Sequence, residues 1–147
     1  MKRPLRVLIV EDREDDAELL LRELRRGGFD PAFERVETTE AMSAALEKPW
    51  DIVISDWAMP HFSAEAALSL AQKSGLNLPF IIVSGTVGEE AAVTAMRAGA
   101  HDFMIKGKFM RLLPAIEREL REAAGRAERR AIEQQLRQRK RWRRWGS

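Results

Sequence analysis

Short apolar runs alternate along this chain with segments whose apolar residues recur at helical spacing. Residues 5–10 (Leu-Arg-Val-Leu-Ile-Val) are β-branched and mostly apolar, the pattern of a central parallel strand buried on both faces. Glu14, Asp15 and Asp16 then suit a positive helix N-terminus, and Ala17, Leu20, Leu21 and Leu24 follow along one helix face until Gly27-Gly28 stops it. A second strand is predicted over Ala32–Glu37, weakened by Glu34 and Arg35. A short helix comes next, with Thr39 as its cap, Ala41, Met42, Ala45 and Leu46 inward, and Pro49 closing it.

The pattern then repeats. Asp51–Ser55 reads as a strand, Ala64–Lys73 as a helix and Leu78–Ser84 as a fourth strand. Glu89–Ala98 reads as a helix ended by Gly99, and His101–Ile105 as a fifth strand. A last helix begins near Phe109, with Pro114 accommodated in the first turn, where amide donors are unpaired anyway. Its stripe of Leu113, Ile116, Leu120, Ala124, Ala127 and Ala131, with Leu136 near the same register, runs on past the end of the body; Gly125 weakens this helix without stopping it. Five strands alternating with five helices predict a doubly wound α/β domain, its parallel sheet covered on both faces. The long helix should project, in places narrow enough to pair with another helix.

Composition narrows the chemistry. At 147 residues, 45% of them hydrophobic, the chain can bury one substantial core. It has no cysteine, which excludes disulfides, thiolate catalysis and cysteine-ligated zinc, and two histidines (His61, His101) are too few for a histidine-built metal site. Met1-Lys2-Arg3 before Leu5–Val10 imitates a signal peptide, but the run is short and enters acidic residues at once, so a first strand is the better reading. No apolar run approaches membrane-spanning length, which makes the cytoplasm the expected compartment. The net charge of +2 is unevenly spread: residues 126–147 hold nine Lys/Arg against two Asp/Glu, and the rest hold 16 against 21. An acidic body thus carries a basic tail.

The predicted strand ends carry the candidate chemistry. Asp56 follows the third strand and opens the turn Trp57-Ala58-Met59-Pro60; Glu11 and Asp12 follow the first, Ser84 ends the fourth, and Lys106 follows the fifth. Ligands of open α/β sheets bind at this rim. Three converging carboxylates favour a hard divalent cation, and oxygen ligands with charge to spare suit magnesium. Asp56 has the chemistry of a nucleophile forming an aspartyl-phosphate. Glu11 and Asp12 can hold the magnesium ion, and Lys106 and the Ser84 hydroxyl can stabilise the remaining phosphoryl oxygens. Each residue alone is ordinary; the combination at four strand ends is not.

These residues resemble the receiver domain of two-component response regulators over positions 5 to about 122. The resemblance rests on Glu11-Asp12, on Asp56 with Met59-Pro60, on Ser84-Gly85, and on the run Ala98-Gly99-Ala100-His101-Asp102-Phe103-Met104-Ile105-Lys106. It implies a flavodoxin-like (βα)5 fold with strand order 2-1-3-4-5, a receiver domain over 1–124, and a helical extension and basic tail over 125–147. It further implies that Asp56 accepts phosphate from a histidine kinase or phosphotransfer protein. Magnesium would sit on Glu11, Asp12, Asp56 and the main-chain carbonyl of Ala58, and Ser84 and Phe103 would act as the paired hydroxyl and aromatic switch. The domain would be a phosphorylated signalling module, not a conventional enzyme, although it assists its own phosphoryl transfer and dephosphorylation. Four positions depart from the commonest pattern: Glu11 replaces Asp, Ser84 replaces Thr, Phe103 replaces Tyr, and Gly107 stands where proline usually follows the lysine. The stretches Ser84–Glu90 and Lys106-Gly107-Lys108 look most like receivers at the front of hybrid sensor histidine kinases.

Rival readings have identifiable marks. A phosphatase using an aspartyl-phosphate usually carries a second aspartate two residues after the nucleophile, and Ala58 stands there. A non-catalytic pseudo-receiver, acting as an interaction or dimerisation platform, would not need the complete acidic, hydroxyl and lysine set; the long last helix is the feature that favours a homodimer. The tail Arg137–Trp145, with Trp142 and Trp145 among its arginines, has the chemistry to bind nucleic acid phosphates or anionic lipid. A solvated linker ending in Gly146-Ser147 is the favoured reading. Nothing in it resembles a DNA-reading module.

Overall fold

The computed structural model describes residues 2–85, 88–106 and 109–145. The expectations attached to Thr86, Val87, Gly107, Lys108, Gly146 and Ser147, and to the Trp145 side chain, lie outside the described positions. The chain alternates β1 (Arg3–Val10), α1 (Glu14–Arg26), β2 (Phe29–Val36), α2 (Thr39–Ala45), β3 (Ile52–Asp56), α3 (Ala64–Lys73), β4 (Phe80–Ser84), α4 (Glu89–Ala98), β5 (Asp102–Ile105) and, after a 3-10 turn at Phe109–Arg111, α5 (Leu112–Trp145). The five strands form one parallel sheet in the order β2-β1-β3-β4-β5. This is the flavodoxin-like arrangement.

Alternation along the strands divides the core into two layers. Leu5, Val7 and Ile9 of β1, with Ile52, Ile54, Ile81 and Val83, face α1 and α5, where Leu20, Leu21, Leu24, Leu112 and Ile116 meet them. Leu8 and Val10, with Val53, Phe80 and Ile82, face the other way, onto Met42, Ala45, Ala67, Leu68 and Ala95. β3 and β4 are buried along their whole length, so continuous apolar runs, not alternating ones, mark them in the sequence.

Element boundaries moved where side chains outvote propensity. β2 starts at Phe29, not Ala32, because Gly28 at φ +92° turns the chain directly into the strand. Pro31 fits within it because β2 is an edge strand, pairing only with β1. Thr38, not Thr39, caps α2: its side chain accepts from the Ala41 amide at 3.1 Å. Met42 and Ala45 are buried there, whereas Ala41 and Leu46 are only partly covered. β3 begins at Ile52 because the Asp51 carboxylate is taken by the Arg6 amide (2.8 Å) and guanidinium (3.0 Å).

The inward face of α5 also differs from the expected stripe. Leu112, Ala115, Ile116 and Glu119 are buried, while Leu113 and Leu120 pack beside them and Ala124, Ala127 and Ala131 are exposed. The docked face and the small-residue stripe are adjacent faces of one helix. Beyond Arg126 every described side chain of α5 is exposed, so this 34-residue helix does project.

Candidate functional site

The sheet order reverses between β1 and β3, and the carboxyl ends of these strands open a crevice there. Register places Val10 beside Ser55, Asp56 beside Val83 and Ser84 beside Ile105. Glu11-Asp12, Asp56, Ser84 and Lys106 therefore reach one rim although they lie far apart in sequence. The main chain holds each loop: the Glu11 amide donates to the Val36 carbonyl (3.0 Å), Trp57 to Val83 (3.3 Å) and Lys106 to Ser84 (2.7 Å). A cavity of about 320 Å³ beside α1 gives access to Glu11, Asp16, Asp56 and Lys106.

Glu11, Asp12 and Asp56 each present one carboxylate oxygen within 4.8 Å of the others. Glu11 and Asp56 are buried, at 5% and 6% exposure. Asp12 Oδ1 is buried without a hydrogen-bond partner among the described residues, an arrangement costly for an acceptor unless a cation or its water completes it. The donor set is all oxygen and carries more negative charge than its neighbours cancel, so it fits magnesium. Ala58 follows in the exposed turn after β3.

Lys106 is the cation already present. Its ammonium lies 2.7 Å from Asp16 Oδ2, 3.0 Å from Glu11 Oε2 and 3.4 Å from Asp56 Oδ1. Burial opposes the charged form of Lys106, but its contacts with Asp16, Glu11 and Asp56 outweigh that and hold its pKa above the ordinary lysine value. Burial pushes the Glu11 carboxyl up to about 7; Lys106 and the Arg13 amide pull it down, and the Asp56 charge adds to the rise. The two tendencies oppose each other: the lysine favours an ionised Glu11, and desolvation favours a protonated one. At neutral pH Lys106 stays charged.

Ser84 is buried at the end of β4, and Phe103 sits half-buried on the adjacent strand, its ring edge-on to Trp57 with centroids 5.9 Å apart. The structure thus brings Glu11, Asp12, Asp56, Ser84 and Lys106 to one rim, with Phe103 and Trp57 behind it. Two contacts were not read from the sequence. Asp16, a helix-terminal charge in the sequence pattern, holds Lys106 across 90 positions, and Trp57, in the turn after β3, touches the aromatic of β5. No local pattern signals either pairing.

The pattern of the response regulator receiver domain family matches residues 7–117. The chain belongs to this family. An NtrX-like response regulator of Rickettsia felis is 35% identical over 104 residues, covering 69% of this chain and 22% of the relative. The chain therefore spans about a fifth of that relative's length. Among solved structures, FixJ-N superposes with a TM-score of 0.68 at 31% identity, over 80% of this chain and 94% of its own. The receiver domain of the Arabidopsis thaliana histidine kinase CKI1, solved with Mg2+ and BeF3−, superposes with a TM-score of 0.65 at 25% identity, over 80% and 90% respectively. Receiver domains are signalling domains of two-component systems, and among the described residues no helix is long and apolar enough to cross a membrane.

Proposed function

We propose that this receiver domain takes a phosphoryl group from a phosphohistidine, on a histidine kinase or phosphotransfer protein, onto Asp56. An Asp56 oxygen attacks phosphorus, the new P–O bond forms as the P–N bond breaks, and the electron pair leaves on the imidazole nitrogen. Glu11, Asp12, Asp56 and the Ala58 carbonyl would hold magnesium, which would supply charge neutralisation for phosphoryl transfer. The carrying observation is the buried carboxylate cluster with its unpartnered Asp12 oxygen, set 3.4 Å from the Lys106 ammonium at the Asp56 carboxylate.

Lys106 and the Ser84 hydroxyl act on the product: both can turn toward phosphoryl oxygens, and Phe103 fills the space that Ser84 vacates. Movement there alters the face made by α4, β5 and α5. α4 suits that role because Ala95 is its one buried residue, so little packing holds it in place. The same groups assist hydrolysis of the aspartyl-phosphate, which resets the domain. The receiver unit ends near residue 124, where α5 leaves the body, and residues 125–147 act as a connector or pairing helix; homodimers form along it. The domain works in the cytoplasm.

Beryllofluoride, which mimics a phosphoryl group, tests the site without a kinase. With magnesium it should change the Trp57 emission of wild type, and Asp56→Asn or chelation of the metal should abolish the change. A pseudo-receiver would show none in any of these.

A further inference from the structure

We propose that Asp16 is a positioning residue that holds the Lys106 ammonium aside from the carboxylates of the metal site, and so sets how tightly that site takes a divalent cation. The inference rests on the receiver reading of Glu11, Asp12 and Asp56 given above.

Lys106 has three N–H donors, and three carboxylates surround it. The contact with Asp16 is the shortest, at 2.7 Å, against 3.0 Å to Glu11 and 3.4 Å to Asp56. Asp16 stands apart from the cluster of Glu11, Asp12 and Asp56, whose oxygens lie within 4.8 Å of one another. It reaches the lysine from the first turn of α1. A lysine and a divalent cation compete for Glu11 and Asp56. Glu11 has little to spare, since Oε1 accepts from the Arg13 amide at 3.1 Å and Oε2 faces Lys106. When a cation arrives, like-charge repulsion drives the ammonium off Glu11 and Asp56, and Asp16 is the partner that remains. Without Asp16 the ammonium's partners among the described residues are the metal ligands Glu11 and Asp56, and the cation must displace it outright. The other cation facing Asp16, Arg13, lies 3.9 Å away with an exposed side chain and touches neither Glu11 nor Asp56 through its guanidinium among the described contacts.

A cycle of variants separates this role from simple loss of charge. Magnesium binding is titrated through tryptophan emission on the full chain, with Trp57→Phe identifying the reporting ring, for wild type, Asp16→Asn, Lys106→Met and the double variant. Asp16→Asn should weaken binding by about tenfold, in the range of other groups that orient metal ligands. Asp16→Glu should recover most of the loss, and Lys106→Met should tighten binding. In the Lys106→Met background the Asp16→Asn effect should shrink to less than about twofold, because the residue acts through the lysine. Unchanged binding in Asp16→Asn, or an equal loss in both backgrounds, overturns the proposal while leaving the metal site intact. Failure of wild type to bind magnesium overturns the receiver reading itself, and this inference with it.

Discussion

Glu11 is the residue whose environment differs most from its ordinary one. Its carboxyl is 5% exposed and titrates near 7, above its usual 4.5. The folded state thus holds a proton that the unfolded chain releases at lower pH. A raised folded-state pKa contributes stability that is complete below about 4.5 and is lost as pH rises through about 7. Metal-free protein should therefore lose on the order of 3 kcal/mol of stability from this group between those limits. Glu11→Gln should remove that component, which the difference between wild-type and variant urea midpoints across pH 5–8 would reveal. Equal slopes in the two proteins would show that Glu11 is ionised throughout. The strand-end residues were legible in the sequence because a polar or charged residue closing a buried run is a local pattern, and Glu11, Asp12, Asp56, Ser84 and Lys106 all lie at or just past strand ends. The Asp16–Lys106 and Trp57–Phe103 contacts were not, because each depends on how strands and helices superpose in space.

At the scale of elements, helix ends marked by glycine were legible in the sequence, whereas the choice between neighbouring caps (Thr38 over Thr39) and between neighbouring helix faces was not. Gly99 closes α4 at φ +112°, and a Cβ there would lie 2.3 Å from Gln72 Nε2, which donates to the Ala98 carbonyl at 2.9 Å. Gly99→Ala should cost about 1–3 kcal/mol, the scale of a forced left-handed residue, read as a lowered thermal midpoint. α3 and α4 matched their expected bounds because Ser63 and Gly99 mark their ends. In α5 the regular stripe from Leu113 to Ala131 shares Ile116 with the docked face, but the body buries Leu112 and Ala115 beside it and leaves Leu113 and Leu120 at the margin; sequence spacing alone does not say which of two neighbouring faces docks. Since the described side chains after Arg126 are exposed, truncation there should leave the thermal midpoint within about 2 °C of wild type, as expected when little apolar area is lost. A large drop would mean that the extension supports the body.

The whole molecule combines an acidic rim at one end of the sheet with the lightly packed helix α4 and a projecting basic helix. Phe103 lies on β5 and Lys106 directly follows that strand, so one short segment runs from the acidic rim to the side of the sheet that α4 and α5 flank. On the other side of that strand, the buried Asp102 carboxylate binds Arg118 of α5 at 3.0 Å and lies 3.6 Å from Arg111. α5 is thereby tied to the segment that carries Lys106 to the Asp56 carboxylate. Reversing a 99:1 bias between two arrangements of such a face takes about 5.5 kcal/mol of differential stabilisation. A phosphoryl group carrying about −1.5 to −2 charge beside Lys106 and a bound cation is a source on that scale.

The central claim is that Asp56 accepts a phosphoryl group with magnesium present. Intact mass after incubation with magnesium and acetyl phosphate tests it directly. Wild type should gain one phosphoryl group, about 80 Da on the aspartyl oxygen, and neither Asp56→Asn nor wild type with the metal chelated should gain it. No gain in wild type, or an equal gain in Asp56→Asn, would contradict the account and leave the helix and its basic extension as the working parts.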